Sequence, residues 1–391
     1  MSAVRIDLNN LDKSNWKTYR FDEIAKNISE RVDPNNTDLE VYIGLEHIDS
    51  ESLHIKRHGT PDDVNGQKLK FYKSDIIFGR RRAYQRKAGI ATTDGFCSAH
   101  ALVLRANQDV IDPQLFPFFL HSDLFMNRAV DISVGSLSPT INWGTLKHQE
   151  FRIPSKDQQA ELAKLLWTID TVLSSRFELL KGIKSVYLSH IEKKLLSKNS
   201  NKVLFSELGA VIRGVGYKPE NLIDTYSNEA CIILRANNIK NSSINFDDIK
   251  ILPLLQVKRQ QLLKEGDFAI CMSNGSKDLV GKSARISKPK MNVAVGSFCA
   301  GFRPNSSQDE KILEHLFASE SYRLAIKRIL TGSTINNLKP SDIEGLFLRI
   351  DMNDIDDVIC KLNVLKNNIR ECESSICITQ DLHKSIIKKV F

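Results

Sequence analysis

The densest group of side chains able to do chemistry is Arg80-Arg-Arg-Ala-Tyr-Gln-Arg-Lys87. An arginine guanidinium offers a two-pronged donor to guanine, and a glutamine amide offers a donor and an acceptor to adenine. A tyrosine stacks on a base or binds a phosphate. The run follows an apolar, strand-like stretch and precedes Gly89, which places it in a loop or at a hairpin tip. Arg80, Arg81, Arg82, Tyr84, Gln85, Arg86 and Lys87 are therefore the expected DNA contacts of the first half of the chain. A second polar stretch, Met272-Ser-Asn-Gly-Ser-Lys-Asp278, holds the matching place in the second half and is much less basic. Its expected contacts are Ser273, Asn274, Ser276 and Lys277. Trp143 is expected to be core rather than a DNA contact.

Catalytic patterns are approached but not completed. Gly275-Ser-Lys-Asp-Leu-Val-Gly281-Lys282-Ser283 has five residues between its glycines, whereas a phosphate-cradling loop needs four. Gly89 and Gly281 are expected to be equivalent turn glycines. His54-Ile-Lys-Arg-His58 has metal-like spacing without a completing Cys, Asp or Glu cluster. Pro61-Asp62-Asp63 resembles the start of a nuclease signature, but no Glu-x-Lys follows. No Asn-Pro-Pro-aromatic motif and no Gly-x-Ser-x-Gly elbow occurs. No catalytic residue and no metal site is expected.

The chain has 391 residues and a formal charge of +8, enough for several domains and mildly favourable for a polyanionic partner. No apolar run approaches the roughly 18 residues of a membrane span. The start of the chain lacks a signal-peptide core, so a soluble, cytoplasmic protein is expected. Its seven cysteines include no CxxC pair and are expected to be buried free thiols.

The sequence repeats itself in two halves, with matching segments spaced by roughly 190 residues. Phe21-Asp-Glu-Ile24 matches Phe205-Ser-Glu-Leu208, and Asp75-Ile-Ile-Phe78 matches Asp267-Phe-Ala-Ile270. Arg105-Ala-Asn107 matches Arg303-Pro-Asn305. Gly135-Ser136 with Thr140-Ile-Asn142 matches Gly332-Ser333 with Thr334-Ile-Asn336. Short β-branched runs predict strands, and residues 113–130 and 312–330 predict helices near the end of each half. The class is α+β.

After each half the texture changes. From Asp157 to Leu196 there is no proline, and apolar residues fall on heptad ladders: Leu165, Val172, Leu179, Val186 on one, and Leu166, Leu173, Leu180, Tyr187 beside it. Leu162, Ile169 and Ile183 form a third, interrupted by Arg176. Such a helix would be about 60 Å long. The C-terminus repeats the pattern through Ile355, Leu362, Ile369, Ile376 and Val390, and through Val358, Leu365, Cys372, Thr379 and Ile386. Two helices of matched length and phase are expected to pack antiparallel.

This order of domain, helix, domain, helix resembles the specificity subunit of type I restriction–modification enzymes. The Gly-Ser and Ile-Asn segments add to the likeness, as does Phe151-Arg-Ile-Pro154 followed by Gln158-Gln159. The second copy, Leu348-Arg-Ile350-Asp351, lacks the proline and the glutamine pair. The resemblance implies two target-recognition domains, residues 1–155 and 200–351, separated by antiparallel coiled-coil helices at 156–199 and 352–391. It further implies double-stranded DNA as ligand, read as a split asymmetric site with the helices as spacer. Two methyltransferase subunits would bring S-adenosylmethionine, and two restriction subunits ATP and Mg; this chain would bind no cofactor itself. The competing readings are a helical adaptor without DNA readout, and a methyltransferase or nuclease with unrecognised motifs.

Overall fold

The computed structural model describes residues 7, 8, 10–289, 291–331 and 336–391. Gly332, Ser333, Thr334 and Ile335, the start of the last repeat motif, lie outside them, as do residues 1–6. The chain is mixed α/β and divides into two compact units, Met1–Glu178 with Ser374–Phe391, and Leu179–Glu373. Each unit therefore holds one half of the repeat and a stretch of both long helices.

The first unit is built on a four-stranded antiparallel sheet. Its strands run in the order Ala25–Ile28, Ala101–Ala106, Ile76–Gly79, Ala88–Ile90. The second unit repeats this with Gly209–Arg213, Cys299–Pro304, Phe268–Cys271 and Ser283–Arg285. The central strands are apolar on both faces and buried throughout, which is why they read as continuous rather than alternating apolar runs. A second small sheet in each unit contains one parallel pair, Tyr42–Ile43 with Gly95–Cys97 and Ala230–Leu234 with Val293–Val295. Here the copies diverge. Lys68–Phe71 pairs with Gly95–Cys97 in the first unit, whereas Lys250–Pro253 pairs with Ala230–Leu234 in the second.

The short repeated motifs are structural joints. Asp75 is buried and accepts two hydrogen bonds from Arg105, Nε to Oδ1 at 2.7 Å and Nη2 to Oδ2 at 2.8 Å. Asp267 and Arg303 repeat this at 3.0 and 2.6 Å. Each carboxylate also caps the turn before its strand, accepting from Tyr72 N and Lys264 N. Asn107 and Asn305 donate to the carbonyls of Glu23 and Glu207 at 2.8 and 2.9 Å, tying Phe21–Ile24 and Phe205–Leu208 to their sheets. Phe21 and Phe205 sit fully buried in aromatic clusters with Phe125 and Phe151, and with Phe317 and Tyr322, respectively. Trp143 joins the first cluster against Phe21.

The expected helices near the end of each half are Phe116–His121 with Asp123–Asp131, and Ser307–Leu316 with Glu320–Thr331. In each pair a buried serine makes the corner. Ser122 Oγ donates to Phe119 O and accepts from Phe125 N; Ser319 Oγ donates to Leu316 O and accepts from Tyr322 N.

The central helix spans Lys156–His190 and closes in a π-helical turn, Ile191–Leu195; the C-terminal helix spans Ile355–Val390. The glutamine pair anchors the start of the central helix. Gln158 accepts from Trp16 Nε1, and buried Gln159 spans Asp112 N, Val110 O and Pro154 O. In the first unit Leu162, Ala163 and Leu166 share a core with Ile386, Ile387 and Val390, and Arg176 donates to Ser375 O and to Thr379 Oγ1. In the second, Tyr187 and Ile191 share a core with Ile355 to Ile369, and Lys184 pairs with Glu373 at 2.7 Å. Tyr187 also donates to His315 Nδ1, and His315 Nε2 faces Asn363 at 3.2 Å. Burial lowers the His315 pKa to about 4, so the ring is neutral, accepting from the tyrosine and donating to the amide.

Two expectations need correction. The ladder of Leu165, Val172, Leu179 and Val186 does not form part of a buried seam: the last three are 40%, 57% and 55% exposed, because the neighbouring ladder faces the partner helix instead. And Cys360 and Cys377 are exposed, on outward faces of the C-terminal helix, while the other five thiols are buried.

The three tryptophans, Trp16, Trp143 and Trp167, all lie in the first unit, so their fluorescence reports its unfolding. Arg105→Ala strands the buried Asp75 carboxylate and is expected to cost the first unit about 2 kcal/mol, discounted because the arginine is part-exposed. Urea unfolding monitored by tryptophan should show a lower midpoint for Arg105→Ala than for Arg303→Ala. An unchanged midpoint for Arg105→Ala would contradict the role given to the pair.

Candidate nucleic-acid interface

Loop 80–87 leaves the end of strand Ile76–Gly79 and returns into Ala88–Ile90, with Gly79 N donating to Lys87 O at 2.8 Å. Its tip is a single turn, Ala83–Gln85, anchored by buried Ala83. Arg82 and Arg86 flank the turn in left-handed backbone, with φ of 54° and 50°. A non-glycine residue held there costs on the order of 1 kcal/mol, and such strain persists only where the surroundings enforce it. Here the enforcement is main-chain bonding to segment 139–141: Arg82 N donates to Pro139 O at 2.7 Å and Ile141 N to Arg80 O at 2.9 Å. Thr140 and Val134 exchange two further bonds, adding a third edge.

The seven candidates in this loop have different duties. Arg81 and Arg82 are exposed, and Tyr84 is 56% exposed. Gln85 and Arg80 are half-buried, and Arg80 Nε is enclosed without a partner. Arg86 is engaged underneath, donating to Asp123 at 2.7 Å and to His121 O at 3.3 Å, with Glu51 at 3.7 Å. Lys87 Nζ donates to Leu45 O at 2.6 Å. The projecting charges are thus Arg81 and Arg82.

In the second unit, Cys271 N donates to Lys282 O at 2.9 Å and closes the equivalent loop. Leu338 N donates to Met272 O at 2.8 Å, and Asn274 N to Asn336 O at 3.3 Å. Ser276 and Lys277 are exposed, whereas Ser273 and Asn274 are half-buried. Asn274 Oδ1 accepts from Ser276 N at 3.1 Å, shaping the loop locally. Arg323 braces it from below through Val280 O and Asp278 O.

These bonds reset two alignments made from sequence. Leu338 holds the place of Ile141, so Thr140-Ile-Asn142 matches Asn337-Leu338-Lys339 and not Thr334-Ile-Asn336. Buried apolar residues one turn later, Leu146 and Ile343, agree with that register. Gly281, with φ 78°, holds the place of left-handed Arg86, not of Gly89. Gly89 is a strand residue paired with Ile77, where a Cβ would meet Ile55 Cγ1 at 2.5 Å. Gly281 is a turn glycine, as expected; Gly89 is not.

Two residues at these loops escaped the sequence reading. The carbonyl of His100 accepts from Arg80 N at 3.3 Å, and that of Phe298 accepts from Met272 N and Ser273 N at 2.9 and 3.1 Å. Burial, then the charges of Arg81 and Arg80, hold the His100 pKa below its ordinary value. The neutral ring's Nε2, 3.3 Å from Arg81 Nη1, accepts from that guanidinium. Phe298 is 67% exposed. No local sequence signal marks either residue.

The remaining near-motifs have local roles. Asp63 accepts from Thr60 N at 2.7 Å and caps the turn Pro61–Asp63. His58 Nδ1 lies 3.3 Å from the Gly59 carbonyl, and His54 Nε2 lies 2.7 Å from Asp170 Oδ2. Among the described residues no cluster of three His, Cys, Asp or Glu is arranged to hold a metal, and no helix is long and apolar enough to cross a membrane. Below loop 80–87, Glu51 N donates to Arg86 O, and Lys384 Nζ reaches the Glu51 carboxylate at 2.7 Å.

Residues 13–186 match the family model of the type I restriction modification DNA specificity domain. Curated relatives include the type I restriction enzyme StySPI specificity subunit of Salmonella potsdam and the EcoKI specificity subunit of Escherichia coli K12. Each is 35% identical over 139 residues, 36% of this chain and 30% of the relative. The match thus spans under a third of those relatives' length. Among solved structures, the type I restriction–modification S subunit from M. genitalium aligns over 99% of this chain and 98% of its own, at 15% identity and TM-score 0.57. A chain solved in work on complex assembly and conformational transition of the type I R-M system aligns over 96% of this chain and 97% of its own, at 16% identity and TM-score 0.56. These two share the fold. Residues 13–186 are thus similar to the DNA specificity domain of type I restriction–modification enzymes.

Arg82→Gly should relieve the left-handed strain and raise first-unit stability by about 0.5–1 kcal/mol in chemical denaturation; a loss of stability would show that the side chain holds the loop. The hydrogen bond to Asp170 raises the His54 pKa above its ordinary value, against burial. Its stabilisation is therefore full below the unfolded value near 6.5 and lost as pH rises through the folded value. NMR titration of the His54 ring should give a midpoint above 6.5 that drops in Asp170→Asn; an unmoved midpoint would exclude the pair as the cause.

Proposed function

We propose that this chain is the DNA-reading subunit of a type I restriction–modification complex, recognising a bipartite, asymmetric site in double-stranded DNA. The observation that carries this reading is one hydrogen-bonded frame built twice, presenting Arg81, Arg82 and Tyr84 in one copy and Ser276 and Lys277 in the other. Two readers with a common frame and different side chains suit two different half-sites. Gln85, Arg80, Ser273 and Asn274 are flanking contacts, and Arg86 and Lys87 support the loop from within. In this reading residues 1–155 and 200–351 are the target-recognition domains. Residues 156–199 and 352–391 form an antiparallel coiled coil that serves as spacer. The chain is non-catalytic. Two methyltransferase subunits supply S-adenosylmethionine and the methylation chemistry, and restriction subunits supply ATP- and Mg-dependent cleavage.

The test is genome-wide adenine methylation in cells carrying this chain with its neighbouring methyltransferase. The wild type should methylate a split motif. Arg81→Ala with Arg82→Ala should weaken or erase the bases of one half only. A continuous motif, or a split motif untouched by the double substitution, would overturn the reading, the latter in favour of a helical adaptor.

A further inference from the structure

We infer that Phe298 is a specificity determinant of the second unit, making an apolar contact with the C5-methyl of a thymine in the DNA major groove. This rests on the DNA-reading function proposed above and adds to it a residue and a base.

Phe298 is the only phenylalanine of the described residues exposed to as much as 67%. A lone exposed aromatic is ordinary on a protein surface; its position here is not. It lies in the turn leading into strand Cys299–Pro304, where Cys299 N donates to Gly296 O at 2.8 Å. Its carbonyl takes two main-chain bonds, from Met272 and Ser273, at the root of the candidate loop. The backbone carrying the ring is therefore fixed to the backbone carrying Ser273 and Asn274, while the ring is left in solvent.

The first unit supplies an independent comparison. Ala101 N donates to Ser98 O at 2.9 Å, so the same turn leads into strand Ala101–Ala106, and its outer residue is His100. His100 is bound to the loop through the same kind of main-chain bond and touches Arg81. The frame thus fixes the backbone of one residue from this turn at the root of each loop, a residue with a polar imidazole in one copy and with an apolar ring in the other. Buried structural positions in the two copies are alike, as Asp75 with Asp267 and Ser122 with Ser319 are. A position that changes from polar to apolar while its main-chain bonding persists is doing something other than holding the frame. In the major groove, the thymine methyl is the base-edge group that an apolar side chain distinguishes.

The experiment uses the full chain, in complex with its methyltransferase, and duplexes carrying the motif found by methylation mapping. Each thymine of the half-site read by the second unit is replaced in turn by deoxyuridine, which removes only the methyl. Wild type should lose affinity about three- to five-fold at one such position, the worth of one buried methyl group. Phe298→Ala should bind the thymine duplex that much more weakly and show no further loss with uracil. Because the ring is exposed, Phe298→Ala should unfold like wild type, and Phe298→Leu should recover part of the thymine preference. A variant that keeps both wild-type affinity and the thymine preference overturns the inference. So does an equal loss on every duplex, which would make the ring a sequence-independent wedge, and so does a half-site without an A·T pair. Absence of any split methylated motif would instead sink the DNA-reading function itself.

Discussion

A carboxylate buried beneath an arginine sets the geometry of each unit. Asp75 and Asp267 are almost wholly removed from solvent. A buried charge is tolerable only when its lone pairs are filled, and each fills them with a two-pronged guanidinium and the amide that begins the preceding turn. That requirement fixes three things together: the turn, the start of the central strand, and the register of the neighbouring strand that carries the arginine. The central strand then ends, four residues on, in the loop that is the candidate reader. The loop's root is placed by an ion pair at the far end of the same strand, away from the surface it serves.

From that root outward, the segment along the side of each loop is held to it by backbone. The bonds from Arg82 to Pro139 and Ile141 to Arg80, and from Asn274 to Asn336 and Leu338 to Met272, are all amide to carbonyl. Main-chain bonding is indifferent to side-chain identity, so the frame survives replacement of the residues it displays. The return to the sheet shows how far this goes. The left-handed position is Gly281 in one copy and Arg86 in the other. Glycine occupies it without strain; arginine occupies it because Asp123, the His121 carbonyl and Glu51 hold the guanidinium below. The same backbone is reached by absence of a side chain in one unit and by ligation of a side chain in the other.

Much of this frame is legible in the sequence, and what is not has definable causes. The buried strands, the paired helices near the end of each half and the joints at 21, 75 and 105 show as short repeats, because their side chains do fixed work. The order of elements and the long helices follow from periodicity. Periodicity does not say which of two adjacent ladders a partner will cover, and Val172, Leu179 and Val186 are left in solvent. Matching by residue type likewise misplaced Thr334-Ile-Asn336 and Gly89, since similar residues within a few positions of one another compete for the same partner. A basic run marks a loop but not its division of labour. Arg86 and Lys87 look like Arg81 and Arg82 in sequence, yet the first two are committed to a carboxylate and a carbonyl within the protein.

A duplicated reader hides its specificity residues from sequence comparison. Comparing the two halves by similarity finds the residues that build the frame, because those are the ones that stay the same. Readers of different half-sites must differ, so similarity is least informative where specificity resides. His100 and Phe298 differ in polarity and fall in no shared motif; each stands five residues before a matched arginine, and the bonds of their turns and carbonyls make them equivalent in space. Equivalence between the two units is therefore better defined by which amide meets which carbonyl than by which residue types align. On that definition the candidate surface in each unit is composite, made of the loop, the segment bonded along its side and the turn beneath it, three segments far apart in sequence.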